Sequence, residues 1–116
     1  MQDPDCIFCK IINGDIPSTK VYEDELLFAF NDINPAAPVH VLIVPKKHIQ
    51  DNNHITAEDE VIAGRMFTAA KEIASQLKIA EDGYRLIINT GRHGHQEVPH
   101  LHLHLIGGQP MQHPMG

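Results

Sequence analysis

The stretch His100-Leu101-His102-Leu103-His104-Leu105 alternates an imidazole with a branched apolar side chain. In a strand, successive side chains point to opposite faces. His100, His102 and His104 then share one face, with neighbouring rings about 6–7 Å apart, twice the rise per residue. Leu101, Leu103 and Leu105 share the other face, which needs a cover. The segment predicts the last strand of a sheet, Val98–Ile106, followed by Gly107-Gly108. The cover lies upstream. Ile62, Met66, Ala69, Ala70, Ile73 and Leu77 recur at helical spacing and form one apolar stripe over about five turns. Thr56-Ala57-Glu58-Asp59 resembles a capping box ahead of that helix, with Asp in the place of Glu.

The remaining segments complete an α+β pattern. Lys20–Glu23 and Leu26–Asp32 flank Asp24-Glu25 and predict a hairpin. Val39–Val44 is an apolar run broken only by His40, which suits a central strand ended by Pro45. Tyr84–Asn89 is a further strand. At the start, Asp3 is placed as N-cap and Pro4 in the first turn of a short helix with Ile7, Phe8, Ile11 and Ile12 on its apolar side. Asn13-Gly14 ends it, with Gly14 suited to a left-handed cap. Cys6 and Cys9 fall on one side of this helix. Lys46–Ile55 reads as a polar loop, Thr90–Glu97 as a Gly/His-rich loop, and Pro110–Gly116 as an irregular tail. The expectation is one domain over residues 1–116: a five-stranded antiparallel sheet with one long and one short helix.

Composition narrows the functional classes. The chain has 116 residues, with 9 Lys+Arg against 15 Asp+Glu and a formal charge of -6. An acidic chain without a basic cluster is a poor binder of nucleic acid or of anionic membrane surfaces. No apolar run approaches the roughly 18 residues of a membrane span. The acidic start, Met1-Gln2-Asp3-Pro4-Asp5, has no apolar signal region, so a cytoplasmic location is expected. The two cysteines sit too close together to staple a fold, which leaves metal binding or redox chemistry. The nine histidines stand out: protonating all of them would turn -6 into +3.

Three histidines on one strand face admit three readings. They can be the polar side of a half-buried strand, although Thr, Ser, Lys or Glu would serve there equally well. They can be metal ligands, two at i, i+2 plus a distant third. Or the middle one is a nucleophile, since neutral imidazole has a free ring nitrogen at pH 7. Its neighbours would then donate hydrogen bonds to charge developing on a phosphoryl group.

The His-apolar-His-apolar-His-apolar-apolar run His100–Ile106 resembles the signature of the histidine-triad (HIT) superfamily. Ile16-Pro17, Phe30-Asn31-Asp32-Ile33, Ala37-Pro38-Val39-His40, Pro45-Lys46-Lys47-His48-Ile49, Asp82-Gly83-Tyr84-Arg85, Asn89 and Leu105-Ile106-Gly107-Gly108 resemble its histidine-triad nucleotide-binding branch, bacterial type. The likeness covers residues 6–116. It implies a homodimer with a continuous sheet. It also implies hydrolysis of purine nucleoside phosphoramidates or acyl-nucleotides through a nucleotidyl-histidine intermediate, releasing a monophosphate such as AMP. By the same resemblance His102 is the nucleophile, His104 touches the phosphate, His40 is a fourth pocket histidine, and the His100 carbonyl orients His102. Asp32 would accept from the ribose hydroxyls, being an acceptor-only carboxylate. Ile7, Phe8, Ile16 and Ile33 would wall the base, and Asn89, His95, Gln96 and Glu97 would lie around the phosphate. Other readings are a non-catalytic nucleotide-binding regulatory module, a dinucleoside polyphosphate hydrolase, and a hydrolase with zinc on the triad.

The chain departs from its relatives at three positions. His95 stands where many have a second glycine, Glu97 where several have a serine that helps the leaving group, and His113 where some carry a tail tryptophan. The resemblance also implies a structural zinc on Cys6, Cys9, His48 and His100, as in several bacterial members; the chemistry itself needs no cofactor. His54 and His93 are expected at the surface.

Overall fold

The computed structural model describes residues 3–114, so the last two residues of the expected tail and the first two of the chain lie outside the described residues. Five strands, β1 (Lys20–Glu23), β2 (Leu27–Asn31), β3 (Val39–Pro45), β4 (Tyr84–Ile87) and β5 (Leu103–Gly107), form one sheet in the order β1-β2-β3-β5-β4. All neighbouring pairs are antiparallel. Two helices, α1 (Ile7–Ile12) and α2 (Glu60–Gln76), pack on it. Asp24 closes the first hairpin: its Oδ1 accepts from Leu26 N at 2.8 Å and Leu27 N at 2.9 Å. That is the side-chain mimic of a backbone turn for which Asp is favoured.

The alternation read from the sequence sorts the sheet into two faces. On one, Leu27, Ala29, Val41, Ile43, Leu103 and Leu105 are buried against Met66, Ala69, Ala70, Ile73 and Ala74 of α2. On the other, Phe28, Phe30, Leu42 and Val44 meet Cys6, Phe8, Cys9 and Ile11 of the α1 region. The pairing Leu42↔His104 puts His104 on this second face, beside α1. Thr56 N donates to Asp59 Oδ2 at 3.1 Å, the expected reach-back of a capping box. The box heads a 3₁₀ turn, Ala57–Asp59, that runs directly into α2. Lys47 pairs with the buried Asp59 and ties the loop after β3 to the same helix end.

Four expectations are corrected. The short helix is capped by Cys6, whose Sγ accepts from Cys9 N, and not by Asp3. Asp3 Oδ1 is taken by Asp5 N at 2.9 Å, so it closes a turn before the helix. The last strand begins at Leu103, not Val98. Continuing the register would bring its upstream residues against Pro45, which has no N–H, and Pro45 O already accepts from the His100 ring. The strand from Tyr84 stops at Ile87 rather than Asn89, and the second strand spans Leu27–Asn31 rather than Leu26–Asp32.

Candidate active site

Because the sheet register starts at Leu103, only His104 stands on a strand; His100 and His102 precede it on irregular backbone. They are positioned by hydrogen bonds instead. His100 Nε2 lies 2.8 Å from Pro45 O, Leu101 N donates to Ile49 O at 2.7 Å, and His102 Nδ1 lies 2.7 Å from His100 O. A carbonyl only accepts, so each of those ring nitrogens carries the proton. His102 is therefore an Nδ1–H imidazole with a bare Nε2. Phe8 packs edge-on against it, ring centres 5.1 Å apart. Burial lowers the His102 pKa, against the pull of the His100 carbonyl, Asp32 and Glu97, and so keeps the ring neutral.

A second chain of hydrogen bonds runs through His40 and His104. Ala36 N donates to His40 Nδ1 at 3.0 Å, so the His40 proton sits on Nε2. That nitrogen is 2.9 Å from His104 Nδ1 and 3.5 Å from Asp32 Oδ2. His104 accepts at Nδ1 and is left with an Nε2–H donor. Asp32, His40 and His104 are close enough to suggest a metal triad. The Ala36 amide argues otherwise: with Nδ1 occupied as acceptor, His40 Nε2 would have to shed its only proton to bind a cation. The group is a hydrogen-bonded chain running from the Ala36 amide through His40 to His104.

Burial, reinforced by the facing His102 and His40 rings, pushes His104 from 6.5 down to about 4. His40 is lowered too, by burial, with Asp32 opposing. Between the unfolded value near 6.5 and the folded value near 4, the unfolded chain binds more protons. Stability from the neutral His104 ring is thus full above pH 6.5 and is lost as pH falls toward 4, and the lowered His40 acts in the same direction. A melting-temperature series over that range should decline steadily on the acid side and level off below it. A flat profile, or one that rises toward acid, contradicts the buried neutral state.

His102 and His104 line a cavity of about 610 Å³ between α1, the segment after it and the end of β2. Of the expected nucleotide contacts, Ile7, Phe8, Ile16, Asp32, Ile33 and Glu97 line it. Pro17, Ser18, Thr19, Phe30, Leu42 and Val98 join them. Phe30 and Leu42 fall within the expected strands Leu26–Asp32 and Val39–Val44, and nothing in their spacing marks a cavity wall. Ile33 is 91% exposed at the mouth. His40 stands behind His104, as just described. Asn89 and His95 are not among the lining residues.

Gln96 does not line the cavity either, and its amide is committed to the backbone. Its Oε1 accepts from Gly91 N at 3.1 Å, and its Nε2 donates to Gln50 O at 2.9 Å and Val98 O at 3.0 Å. It clamps the glycine loop. His95 adopts φ +60°, a left-handed conformation, which explains why glycine suits this position. At Gly94 a Cβ would sit 2.5 Å from Thr90 O, so this glycine is required by close packing. His93 is exposed as expected. His54 is exposed but partnered, its Nδ1 2.6 Å from Asp51 Oδ1. At His113 the backbone carbonyl accepts from Arg85 Nη1 at 2.9 Å.

Behind the triad, Cys6, Cys9, His48 and His100 converge. Cys6 Sγ lies 3.3 Å from His100 Nδ1, Cys9 Sγ 3.5 Å from His48 Nδ1 and 3.6 Å from His100 Nδ1, and the two Nδ1 atoms are 3.2 Å apart. Tetrahedral zinc with ordinary Zn–S and Zn–N bonds separates its ligand atoms by about 3.3–3.8 Å. The donor set fits. His100 also meets the usual outer-sphere requirement, donating its other N–H to a carbonyl, Pro45 O. Its pKa is pushed down to about 4, mainly by burial, so the ring is neutral and free to ligate. Both cysteines are free thiols, and burial raises the Cys6 pKa. Metal binding would displace that proton.

Comparison with known proteins agrees with this geometry. The HIT domain model matches residues 13–111. The purine nucleoside phosphoramidase of Escherichia coli (strain K12) is 57% identical over 105 residues, covering 90% of this chain and 88% of that protein. A histidine triad protein from Clostridium difficile superposes with a TM-score of 0.94 at 46% identity, covering 97% of this chain and 98% of that one. A HIT family hydrolase from Legionella pneumophila Philadelphia 1 gives a TM-score of 0.93 at 46% identity, covering 97% and 100%. With three histidines, the α+β sheet and a family match over most of its length, the chain belongs to the HIT domain family.

Proposed function

We propose that this protein is a nucleotidyl hydrolase that cleaves purine nucleoside phosphoramidates through a covalent intermediate on His102. The observation that carries the reading is the His102 tautomer: Nδ1–H pinned to the His100 carbonyl at 2.7 Å, leaving Nε2 bare on a ring that lines the cavity. The Escherichia coli relative named for phosphoramidase activity supports the substrate class. Nε2 attacks the α-phosphorus and the P–N bond breaks. The departing nitrogen takes a proton, for which the proposed donor is Glu97, a carboxyl that lines the cavity with His102. Water then attacks the phosphorus and gives its proton back to the Glu97 carboxylate, the P–N bond to His102 breaks so that the ring leaves as neutral imidazole, and the nucleoside monophosphate is released. The His104 Nε2–H stabilises the phosphoryl oxygens in both steps. Asp32 takes the ribose hydroxyls, and Ile7, Phe8, Ile16 and Ile33 hold the base. Rapid quenching with adenosine phosphoramidate should yield a peptide carrying one adenylyl group on His102. Steady turnover without any adenylylated His102 at early times contradicts the covalent route.

Zinc on Cys6, Cys9, His48 and His100 belongs to the same reading, and its supplied chemistry is structural cross-linking. Protein purified without chelator should carry close to one zinc per chain; well under half a zinc removes the assignment. We also propose a homodimer in which the open edge of β4, the last strand in the order β1-β2-β3-β5-β4, continues the sheet across a two-fold axis. Light scattering should return about twice 12.9 kDa. Among the described residues no helix is long and apolar enough to cross a membrane. Two free buried thiols are in keeping with a cytoplasmic setting.

A further inference from the structure

The nucleophile occupies an unusual place: His102 sits one residue before β5, outside the sheet register that begins at Leu103. No ladder of strand hydrogen bonds fixes it. What holds the segment 96–102 is the segment 45–50. His100 Nε2 bonds Pro45 O at 2.8 Å, Leu101 N bonds Ile49 O at 2.7 Å, and Gln96 Nε2 bonds Gln50 O at 2.9 Å. His48 stands in the middle of one segment and His100 near the end of the other, with their Nδ1 atoms 3.2 Å apart. The two thiols reach the same point from Cys6 and Cys9. Phe8, between those cysteines in the chain, sets its ring edge-on against both His102 and His100, at 5.1 and 5.9 Å. The cluster thus ties the cysteine segment to these two hydrogen-bonded segments, at the residue whose carbonyl dictates the His102 tautomer.

We propose that the Cys6–Cys9–His48–His100 cluster, holding its metal, is the positioning device for His102: it fixes the His100 carbonyl and through it the aim of the bare Nε2. This inference rests on the zinc assignment above. His48, Cys6 and Cys9 are positioning residues, acting through His100 and never touching substrate. Without a metal, His100 Nδ1 has only weak thiol donors and one other ring to hold it. The hydrogen bonds to Pro45, Ile49 and Gln50 remain, but with the Nδ1 side of the ring loosely held His100 can tilt by fractions of an ångström. Misplacement on that scale slows an in-line attack far more than it weakens ground-state binding.

The test compares freshly loaded protein, chelator-stripped protein and His48→Ala, which removes a ligand outside the cavity lining, all below their melting temperatures. Zinc binding to stripped protein is measured first, by calorimetry. Turnover of adenosine phosphoramidate should then fall by about 10–100-fold in kcat, with KM and the AMP dissociation constant changed by less than about threefold. The long-range ¹H–¹⁵N spectrum should pass from a single Nδ1–H tautomer of His102 to a mixture. His48→Cys, which retains a zinc ligand, should recover most of the lost kcat and the single tautomer, and it serves if His48→Ala does not fold. If zinc binds yet kcat and the His102 tautomer are the same in loaded and stripped protein, the positioning role is overturned while the zinc assignment stands. If calorimetry shows no zinc binding, both fall. If neither form turns over the phosphoramidate, the substrate assignment fails, and the tautomer spectrum alone decides the positioning role.

Discussion

Replacing His102 by alanine should lower adenosine phosphoramidate turnover by about 10⁴-fold or more, the scale seen when a covalent nucleophile is deleted, while AMP still binds within about threefold of the original affinity. The separation follows from the site. The base is expected against Ile7, Phe8, Ile16 and Ile33, the ribose against Asp32 and the phosphate against His104; His102 lines the same cavity but is assigned none of these holding contacts. It supplies the bare Nε2, and water cannot replace a ring nitrogen whose proton is locked on its far side by the His100 carbonyl. Stopped assays with the substrate and calorimetric titration with AMP separate the two quantities. Turnover within tenfold of the parent would show that the chemistry runs through another group. Loss of turnover together with loss of AMP binding would show that the ring is a wall of the pocket rather than its nucleophile.

Leu105→Ala should destabilise the fold by about 2–5 kcal/mol, as for other buried leucine truncations, and lower the melting temperature by about 10 °C or more. Leu105 is fully buried and lies in β5 between Val41 on β3 and Leu86 on β4. The cavity would open under the α2 face, where Met66, Ala69, Ala70 and Ile73 are already packed without exposure and have little room to collapse inward. Leu77, 39% exposed at the end of α2, is the matching control and should cost under about 1 kcal/mol on truncation. Thermal melts at equal protein concentration read both, because association would otherwise shift the midpoints. A Leu105→Ala loss no larger than that of Leu77→Ala would mean the leucine face is not the principal core.

Much of this was legible because it depends on local periodicity. A two-residue repeat separates the leucine face from the histidine face in any extended conformation, and a 3–4 repeat gives α2 one apolar stripe. Those two patterns suffice for an α+β sheet with one covered face. The Asp24 turn, the Thr56/Asp59 box and the Gly14 terminus are equally local, since each satisfies backbone groups within three or four residues. Resemblance to the family then assembled Cys6, Cys9, His48 and His100 into one centre, although they come from three distant segments. Spacing alone gives no reason for His48 rather than His54 to join the cysteines.

Other features depend on which remote backbone group meets which ring. The strand was expected to include all three histidines, yet it starts at Leu103, because Pro45 cannot continue the ladder and its carbonyl is spent on His100. The Gln96 amide is spent on clamping backbone, and Asn89 and His95 fall outside the cavity lining. The Ala36 amide that makes His40 an Nε2–H donor has no sequence mark at all, since every residue but proline carries such an amide. The sequence by itself determined the two faces, the helix that covers one of them, and the supply of imidazoles and thiols to the other. Only the tertiary structure decided which nitrogen of His40, His100, His102 and His104 is bare, because a tautomer is set by the hydrogen bond at the opposite nitrogen, and those partners are brought in from residues as much as 64 positions away.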